Sequence, residues 1–225
     1  FIFESNTKLH NFLKNISDTI AVNGYFIGTC FDGETEFNKL KSSTINSGFA
    51  IMQDDTKMFE IKKLYSKTGF PNDHTSINYP INVYQESINN FHKEYLVNFT
   101  YLKQIIEDYG FLLPNDDECK KLGFNKATDL FSNYYDFIKH DPLSSKDFYN
   151  QYNYNIDMTE SEKKVSFLNR YFIFKKVRNV DTSKINKLLV QTTQIIDDDT
   201  KHDKPEPIIK PKAKKISKKK IKIDS

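Results

Sequence analysis

The stretch that decides the fold is Asn23-Gly24-Tyr25-Phe26-Ile27-Gly28-Thr29-Cys30-Phe31-Asp32-Gly33, in which a helix stop, a buried strand and a strand-end loop follow directly. Upstream of it, behind a polar start at Ser5, apolar residues recur at helical spacing: Leu9, Phe12, Leu13, Ile16 and Ile20. Gly24 stands where a left-handed helix cap is favoured. Asp32 and Gly33 are therefore expected at the carboxyl end of the strand, where an open α/β sheet binds its ligand.

The first residues form a short apolar run, Phe1-Ile2-Phe3, without an initiator Met or a secretory signal pattern. We expect this run to be the end of a strand that leads into the first helix. On this interpretation the chain is a piece of a longer protein, and the preceding part of its sheet lies upstream of Phe1.

Composition limits the class of protein. The 225 residues include 14% aromatics, enough for one sizeable core, and no apolar run approaches the length of a membrane span. Cys30 and Cys119 are too few for a disulfide framework or a thiolate metal site, which suits a reducing compartment. We therefore expect a protein that is neither secreted nor bound to a membrane.

The net charge of +3 combines two unlike regions. Residues 201–225 hold ten Lys against three acidic residues, which gives +7 and leaves −4 for residues 1–200. A Lys- and Pro-rich tail of this kind buries too little apolar surface to fold, so we expect it to be disordered and to attract the RNA backbone. A solubilising or nuclear-targeting tail is an equally weighted alternative.

The rest of the chain reads as alternating strands and helices. Apolar alternation and aromatic density predict strands at 48–52, 58–65, 81–87 and 167–177. A helical pattern begins at Tyr95 and is closed by Gly110, before a short strand at 111–113. Residues 115–160 are interpreted as a polar insertion with weak helices at most, and 181–200 as a terminal helix or linker.

No catalytic constellation stands out in the sequence. The five His are dispersed, and HExxH, CxxC and GxGxxG patterns are absent, so no metal site is expected. Two residues carry binding hypotheses. Glu94 could accept two N–H groups from a guanine edge, although an acid at a helix start is the commoner explanation. Tyr171 could offer its ring or hydroxyl to a base, although ordinary packing within a strand is the commoner explanation for such a residue.

Three segments, taken in order, resemble the carboxyl-terminal half of messenger-RNA cap guanine-N7 methyltransferases: 23–29, 93–99 and 170–176. Three further segments look closer to the capping enzymes of large cytoplasmic DNA viruses: 34–39, 79–88 and 167–171. The resemblance covers roughly residues 1–180. It implies an α/β fold, namely the C-terminal half of a Rossmann-like class I S-adenosylmethionine-dependent methyltransferase sheet with a lid-like insertion.

The resemblance also implies an enzyme that transfers a methyl group from S-adenosylmethionine to N7 of the GpppN cap guanine. Its partners would be the capped 5′ end of mRNA and triphosphatase and guanylyltransferase modules on the same chain. A viral protein of this kind would act in a viral factory in the host cytoplasm or in the virion, and a cellular one in the nucleus. The alternative is a non-catalytic methyltransferase-like module that binds capped RNA or stimulates a partner.

Site residues are carried over position by position. Glu94 falls on the acidic residue that recognises the guanine N1 and N2 edge, and Tyr171 on the aromatic residue near the cap guanosine. Phe1 falls on the Tyr of a His-Tyr pair at the cofactor, where it lacks the hydroxyl. The main S-adenosylmethionine loop would precede Phe1, so the fragment alone is expected to be inactive. Guanine N7 has no proton to lose, so no catalytic side chain is expected.

Overall fold

The computed structural model describes residues 2–140, 158–185 and 187–188. Six α-helices have both ends within these residues: α1 (Asn6–Thr19), α2 (Gly33–Lys39), α3 (Phe99–Asp108), α4 (Asp116–Lys121), α5 (Phe131–His140) and α6 (Glu160–Ser166). Eight strands accompany them: β1 (Tyr25–Phe31), β2 (Gly48–Gln53), β3 (Thr56–Lys63), β4 (Pro80–Gln85), β5 (Asn90–Tyr95), β6 (Phe111–Leu112), β7 (Thr128–Leu130) and β8 (Asn169–Lys176). Short 3-10 turns lie at Ile2–Glu4 and His74–Ser76. Within these residues the protein is a mixed α/β structure.

The predicted helix, turn and strand at the start of the chain are confirmed by α1 and β1. Ser5 caps α1 by accepting a hydrogen bond from the backbone N–H of Lys8, and Leu9 and Leu13 on its inner side are fully buried. The left-handed residue of the turn is Asn23, with φ of 71°, and not Gly24 as predicted. An Asn tolerates this conformation because its short polar side chain can bond locally.

The strand predicted at the beginning of the chain is wrong for the residues that the structure describes there. Ile2–Glu4 forms a 3-10 turn instead, and Phe3 is 1% exposed. The carbonyl oxygen of Phe3 accepts a hydrogen bond from the backbone N–H of Asn78. The turn therefore buries Phe3 in the core and does not extend a sheet.

Sheet A is built around β8, which pairs antiparallel with β1 on one side and with β6 and β7 on the other. Because β1 and β6 are both antiparallel to β8, they run parallel to each other. The predicted aromatic strand is confirmed, since residues 171–174 of β8 are all nearly inaccessible to solvent. Sheet A and the helices α1 and α3 share one hydrophobic core.

Sheet B is an antiparallel meander in the order β2, β3, β4, β5, and it confirms three predicted strands. Its fourth strand corrects the prediction that residues from Tyr95 onward are helical with Glu94 at their start. Tyr95 ends β5, and α3 begins only at Phe99, because β5 pairs along the whole of β4. The inner face of sheet B, with Ile61 and Ile81 at its centre, packs on α2 in a second core.

The part of the 115–160 segment that the structure describes contains α4, α5 and the unpredicted strand β7. Beyond the last strand, residues 182–185 and 187–188 are helical. Phe1, residues 141–157 and the tail at 201–225 lie outside the described residues. Over the described ranges, no helix is both long and apolar enough to cross a membrane.

Candidate binding cleft at the end of β1

A cleft of about 350 Å³ opens where β1 ends. It collects residues from the end of β1, the beginning of α3, the loop before β4 and the strand β8. Its lining includes Asp32, Glu34, Phe70, Asn72, Asn98, Phe99, Lys103, Leu113 and Arg170. The sequence predicted that Asp32 lies at the carboxyl end of the strand, and the structure places it there, in the lining of the cleft.

Asp32 is held in one orientation by two hydrogen bonds. It caps α2 by accepting the backbone N–H of Thr35 at 2.9 Å, and it accepts Nε of Arg170 at 2.7 Å. The residue is 4% exposed. Burial raises the pKa of its carboxyl, but the hydrogen bonds from Thr35 and Arg170 outweigh burial and hold the pKa below its ordinary value. Asp32 is therefore a fixed negative group in the cleft.

Arg170 is one of the cleft residues for which the sequence analysis assigned no role. Besides its bond to Asp32, it donates to Oγ1 of Thr128 at 3.3 Å, and its guanidinium lies 4.9 Å from the ring centroid of Phe99. It lies at the beginning of β8, next to Tyr171, which carries the hypothesis of contact with a base. Strand alternation could have indicated its position, because Arg170 and Phe172 lie on the same side of β8, the side that faces α3.

Asn98 joins α3 to the loop above the cleft. Its side-chain carbonyl accepts the backbone N–H of Tyr101 at 2.9 Å and so caps α3. Its amide nitrogen donates to the backbone carbonyl of Pro71 at 2.9 Å and to Oδ1 of Asn72 at 3.1 Å. The residue is 3% exposed, so these bonds fix the 71–72 loop to the helix start.

The cleft combines flat aromatic walls with polar groups of both signs. Phe70 and Phe99 contribute rings, Lys103 and Arg170 contribute cationic donors, and Asp32 contributes acceptors. Such a surface suits a planar ligand with hydrogen bonds at its edge, as a nucleobase has. Among the described residues, no group of three or more His, Cys, Asp or Glu is placed to hold a metal ion.

Glu94 lies on sheet B, outside the lining of this cleft. It stands directly opposite Ile81 in the β4–β5 pairing, so both side chains point to the inner face of the sheet. Ile81 is fully buried, whereas Glu94 is half-buried. Within the described residues the Glu94 carboxylate forms no hydrogen bond and no ion pair. It is therefore available to an external donor.

Tyr171 points away from the cleft, on the side of β8 opposite to Arg170. It is 5% exposed, and its hydroxyl lies 3.1 Å from Oδ1 of Asn125 and 3.2 Å from the carbonyl oxygen of Lys126. Its ring contacts Phe124 and Tyr134 at centroid distances of 5.2 and 5.3 Å. Burial raises the pKa of the Tyr171 hydroxyl. Both its ring and its hydroxyl are engaged within the protein, and its role at a cap guanosine stays a prediction.

The chain is similar in sequence to a viral protein. The chain is 29% identical over 206 residues to a probable mRNA-capping enzyme of Acanthamoeba polyphaga mimivirus. The match covers 84% of this chain but only 17% of the viral protein. No protein-family model matches the chain. The chain is thus similar to one portion of a much longer viral protein, and this similarity supports a relationship to mRNA-capping enzymes.

Proposed function

We propose that this chain is the cap-guanine-binding part of an mRNA guanine-N7 methyltransferase that belongs to a capping enzyme. The reaction would move a methyl group from S-adenosylmethionine to N7 of the GpppN guanine. The similarity to a viral capping enzyme supports the capping context. The three ordered segments that resemble the cap methyltransferases support this particular reaction.

The topology of sheet A is compatible with the proposed fold. The pairs α1–β1 and α3–β6 are two helix-then-strand units whose strands run parallel, as in a doubly wound sheet. The antiparallel strand β8 lies between them, and mixed sheets of this kind occur in doubly wound folds. The cleft lies at the carboxyl ends of the two parallel strands, where such folds bind ligands.

The observation that carries the proposal is the half-buried carboxylate of Glu94, which has no hydrogen-bond or ion-pair partner among the described residues. A carboxylate has acceptor positions for two N–H groups, and guanine presents N1–H and N2–H side by side. Adenine lacks this pair of donors, so Glu94 would select guanine. Because N7 is a neutral nucleophile, holding the base in position is the main task that the reaction leaves to the protein.

S-adenosylmethionine would supply the electrophilic methyl group on its sulfonium. The seven Gly of this chain form no GxGxxG loop, and the described acceptors of the cleft do not by themselves define a site for this cofactor. We therefore derive no site for this cofactor from the described residues. The role that we derive for this chain is recognition of the guanine.

Two measurements test the proposal. Glu94→Ala in the full natural polypeptide should cost about 2–4 kcal/mol of transition-state stabilisation in methyl transfer to a capped RNA, because both bonds to the guanine are lost. Glu94→Gln should be partly tolerated, since one acceptor becomes a donor. Glu86→Ala, which removes an exposed carboxylate after β4, is the matched control and should retain full activity.

Calorimetric binding of GpppA and ApppA to residues 1–225 gives the second readout. We expect a preference for GpppA that Glu94→Ala abolishes. Glu94→Ala activity within twofold of wild type contradicts the assignment. Guanine-selective binding by a full polypeptide that transfers no methyl group would instead favour the non-catalytic binding module.

A further inference from the structure

The outer face of sheet B carries lysines and aromatic rings in two rows. Ile61 and Val83 point inward, so their neighbours along β3 and β4 point outward. The strand pairing aligns Lys62, Asn82 and Lys93 in one row and Glu60, Tyr84 and Phe91 in the next. We call these six residues, together with Lys57, the outer face.

The rings and the lysines of the outer face are in contact. Tyr84 and Phe91 lie 5.5 Å apart between ring centroids. Nζ of Lys57 lies 4.3 Å from the centroid of Tyr84, and Nζ of Lys62 lies 4.5 Å from that of Phe91. Both rings are half-buried, and the groups that lie over them are the flexible ammonium ends of lysine side chains.

The charge of the outer face is positive. Glu60 is shared by Lys57 at 2.7 Å and Lys62 at 3.4 Å, so one carboxylate opposes two lysines. Lys93 adds a third, solvent-exposed cation. Residues 1–200 as a whole carry a net charge of −4, so this cluster is positive within a region that is net negative. The outer face therefore has the sign of charge that attracts a polyanion.

The neighbouring strand leaves the outer face open. Gly48 and Ala50 of β2 pair with Lys62 and Glu60 and extend the two rows with residues that have little or no side chain. On this side of the outer face the surface is therefore formed by small residues beside polar and aromatic ones. Such a surface offers a protein helix little to bury, whereas it suits a flexible strand laid across the sheet.

We propose that the outer face binds single-stranded RNA. Bases would stack on Tyr84 and Phe91 in place of the ammonium groups, and the displaced Lys57 and Lys62 would move to phosphates. Stacking on an aromatic ring requires a base that is free of its own duplex, which favours a single strand. Asn82 adds a hydrogen-bonding amide between the two lysines of its row. This proposal concerns RNA beyond the cap and does not rest on methyl transfer.

Photo-crosslinking tests the location directly. An uncapped 12-nucleotide oligouridylate that contains 5-bromouridine is irradiated with residues 1–225, and the crosslinked peptides are mapped by mass spectrometry. We expect crosslinks at Tyr84 or Phe91. Crosslinks confined to residues 201–225 would overturn the proposal, because the basic tail would then account for all binding. Equal affinity for a 12-base-pair duplex would overturn the single-strand specificity.

Variants of the outer face test the energetics. Phe91→Leu should weaken binding on the order of tenfold at low salt through lost stacking. The double variant Lys62→Ala/Lys93→Ala removes two phosphate contacts and should lower the salt slope by about 1.4. Lys41→Ala/Lys120→Ala, an equal charge loss at exposed positions elsewhere, should leave the slope nearly unchanged.

These variants also protect the test from a folding artefact. Lys62 and Lys93 contribute no side chain to either core, so the double variant should melt as the wild type does. A folded double variant with an unchanged salt slope contradicts the proposal even if Phe91→Leu destabilises the protein. Retained GpppA preference in the double variant would show that the outer face and Glu94 act separately.

Discussion

Nε of Arg170 lies 2.7 Å from Oδ2 of Asp32, which joins the beginning of β8 to the end of β1 across 138 positions of sequence. The Asp32 side chain is 5% exposed and that of Arg170 is 22% exposed. The pair therefore closes one side of the cleft from within the protein. Its consequences for stability follow from this burial.

Arg170→Ala should destabilise the fold by about 3 kcal/mol, because it leaves a buried carboxylate without its cation. Urea unfolding of residues 1–225 measures the change. Lys8→Ala, which breaks the exposed pair with Glu4, is the control and should cost less than about 1 kcal/mol. Equal midpoints for the two variants would contradict a structural role of the Asp32–Arg170 pair.

Glu36 should make stability depend on pH. Its side chain is fully buried, both carboxylate oxygens lack a hydrogen-bond partner among the described residues, and burial raises its pKa to about 8. Between its ordinary value of 4.5 and 8, the folded state keeps a proton that the unfolded state has released. Stability should therefore fall as pH rises through this window, by up to about 1.4 kcal/mol per unit, and level off above it.

Glu36→Gln removes the titration while it keeps the shape of the side chain. We expect the urea midpoints of wild type and variant to diverge between pH 5 and pH 8, with the variant increasingly the more stable. Other titrating groups contribute equally to both proteins, so the difference reports Glu36 alone. Parallel curves would show that Glu36 is ionised in the folded protein.

Gly33 should be intolerant of a side chain. A Cβ at this position would lie 2.3 Å from the carbonyl oxygen of Val97, which is a backbone atom that cannot rotate away. Gly33→Ala should therefore push the beginning of α2 away from the segment before α3 and destabilise the protein by about 2 kcal/mol or more. Gly69→Ala, where a Cβ meets nothing within 4 Å, should be neutral or stabilising by about 0.5 kcal/mol. Thermal melts of both variants provide the measurement.

The local parts of this fold were predictable because their signals are local. Alternation in 81–87 predicted β4, and the polar residues after β1 lie where the cleft opens. The cleft itself was predictable only in part. The position of Asn98 before Phe99 is typical of a helix N-cap, but nothing in the sequence shows that its side-chain amide also binds the 71–72 loop.

The errors have physical reasons of their own. Glu94 was interpreted as an acid at a helix start because Leu96 and Phe99 fit a helical spacing, yet pairing with β4 decided its conformation. Tertiary pairing overrides local preference in this way wherever a strand edge is available. The contact of Arg170 with Asp32 could not be predicted, since it requires the register of β1 against β8.

Deleting residues 201–225 should separate charge-driven RNA binding from cap recognition. The deleted segment carries +7, so most counterion release should disappear with it and the salt slope of RNA binding should fall by more than in the Lys62→Ala/Lys93→Ala variant. The preference for capped over uncapped RNA should persist, because contacts to the base and not to phosphate specify the cap. Binding of both RNAs across a salt series, with and without the segment, measures the two effects. An unchanged slope would make the segment a spacer or an address signal, and a lost cap preference would remove Glu94 as the site of recognition.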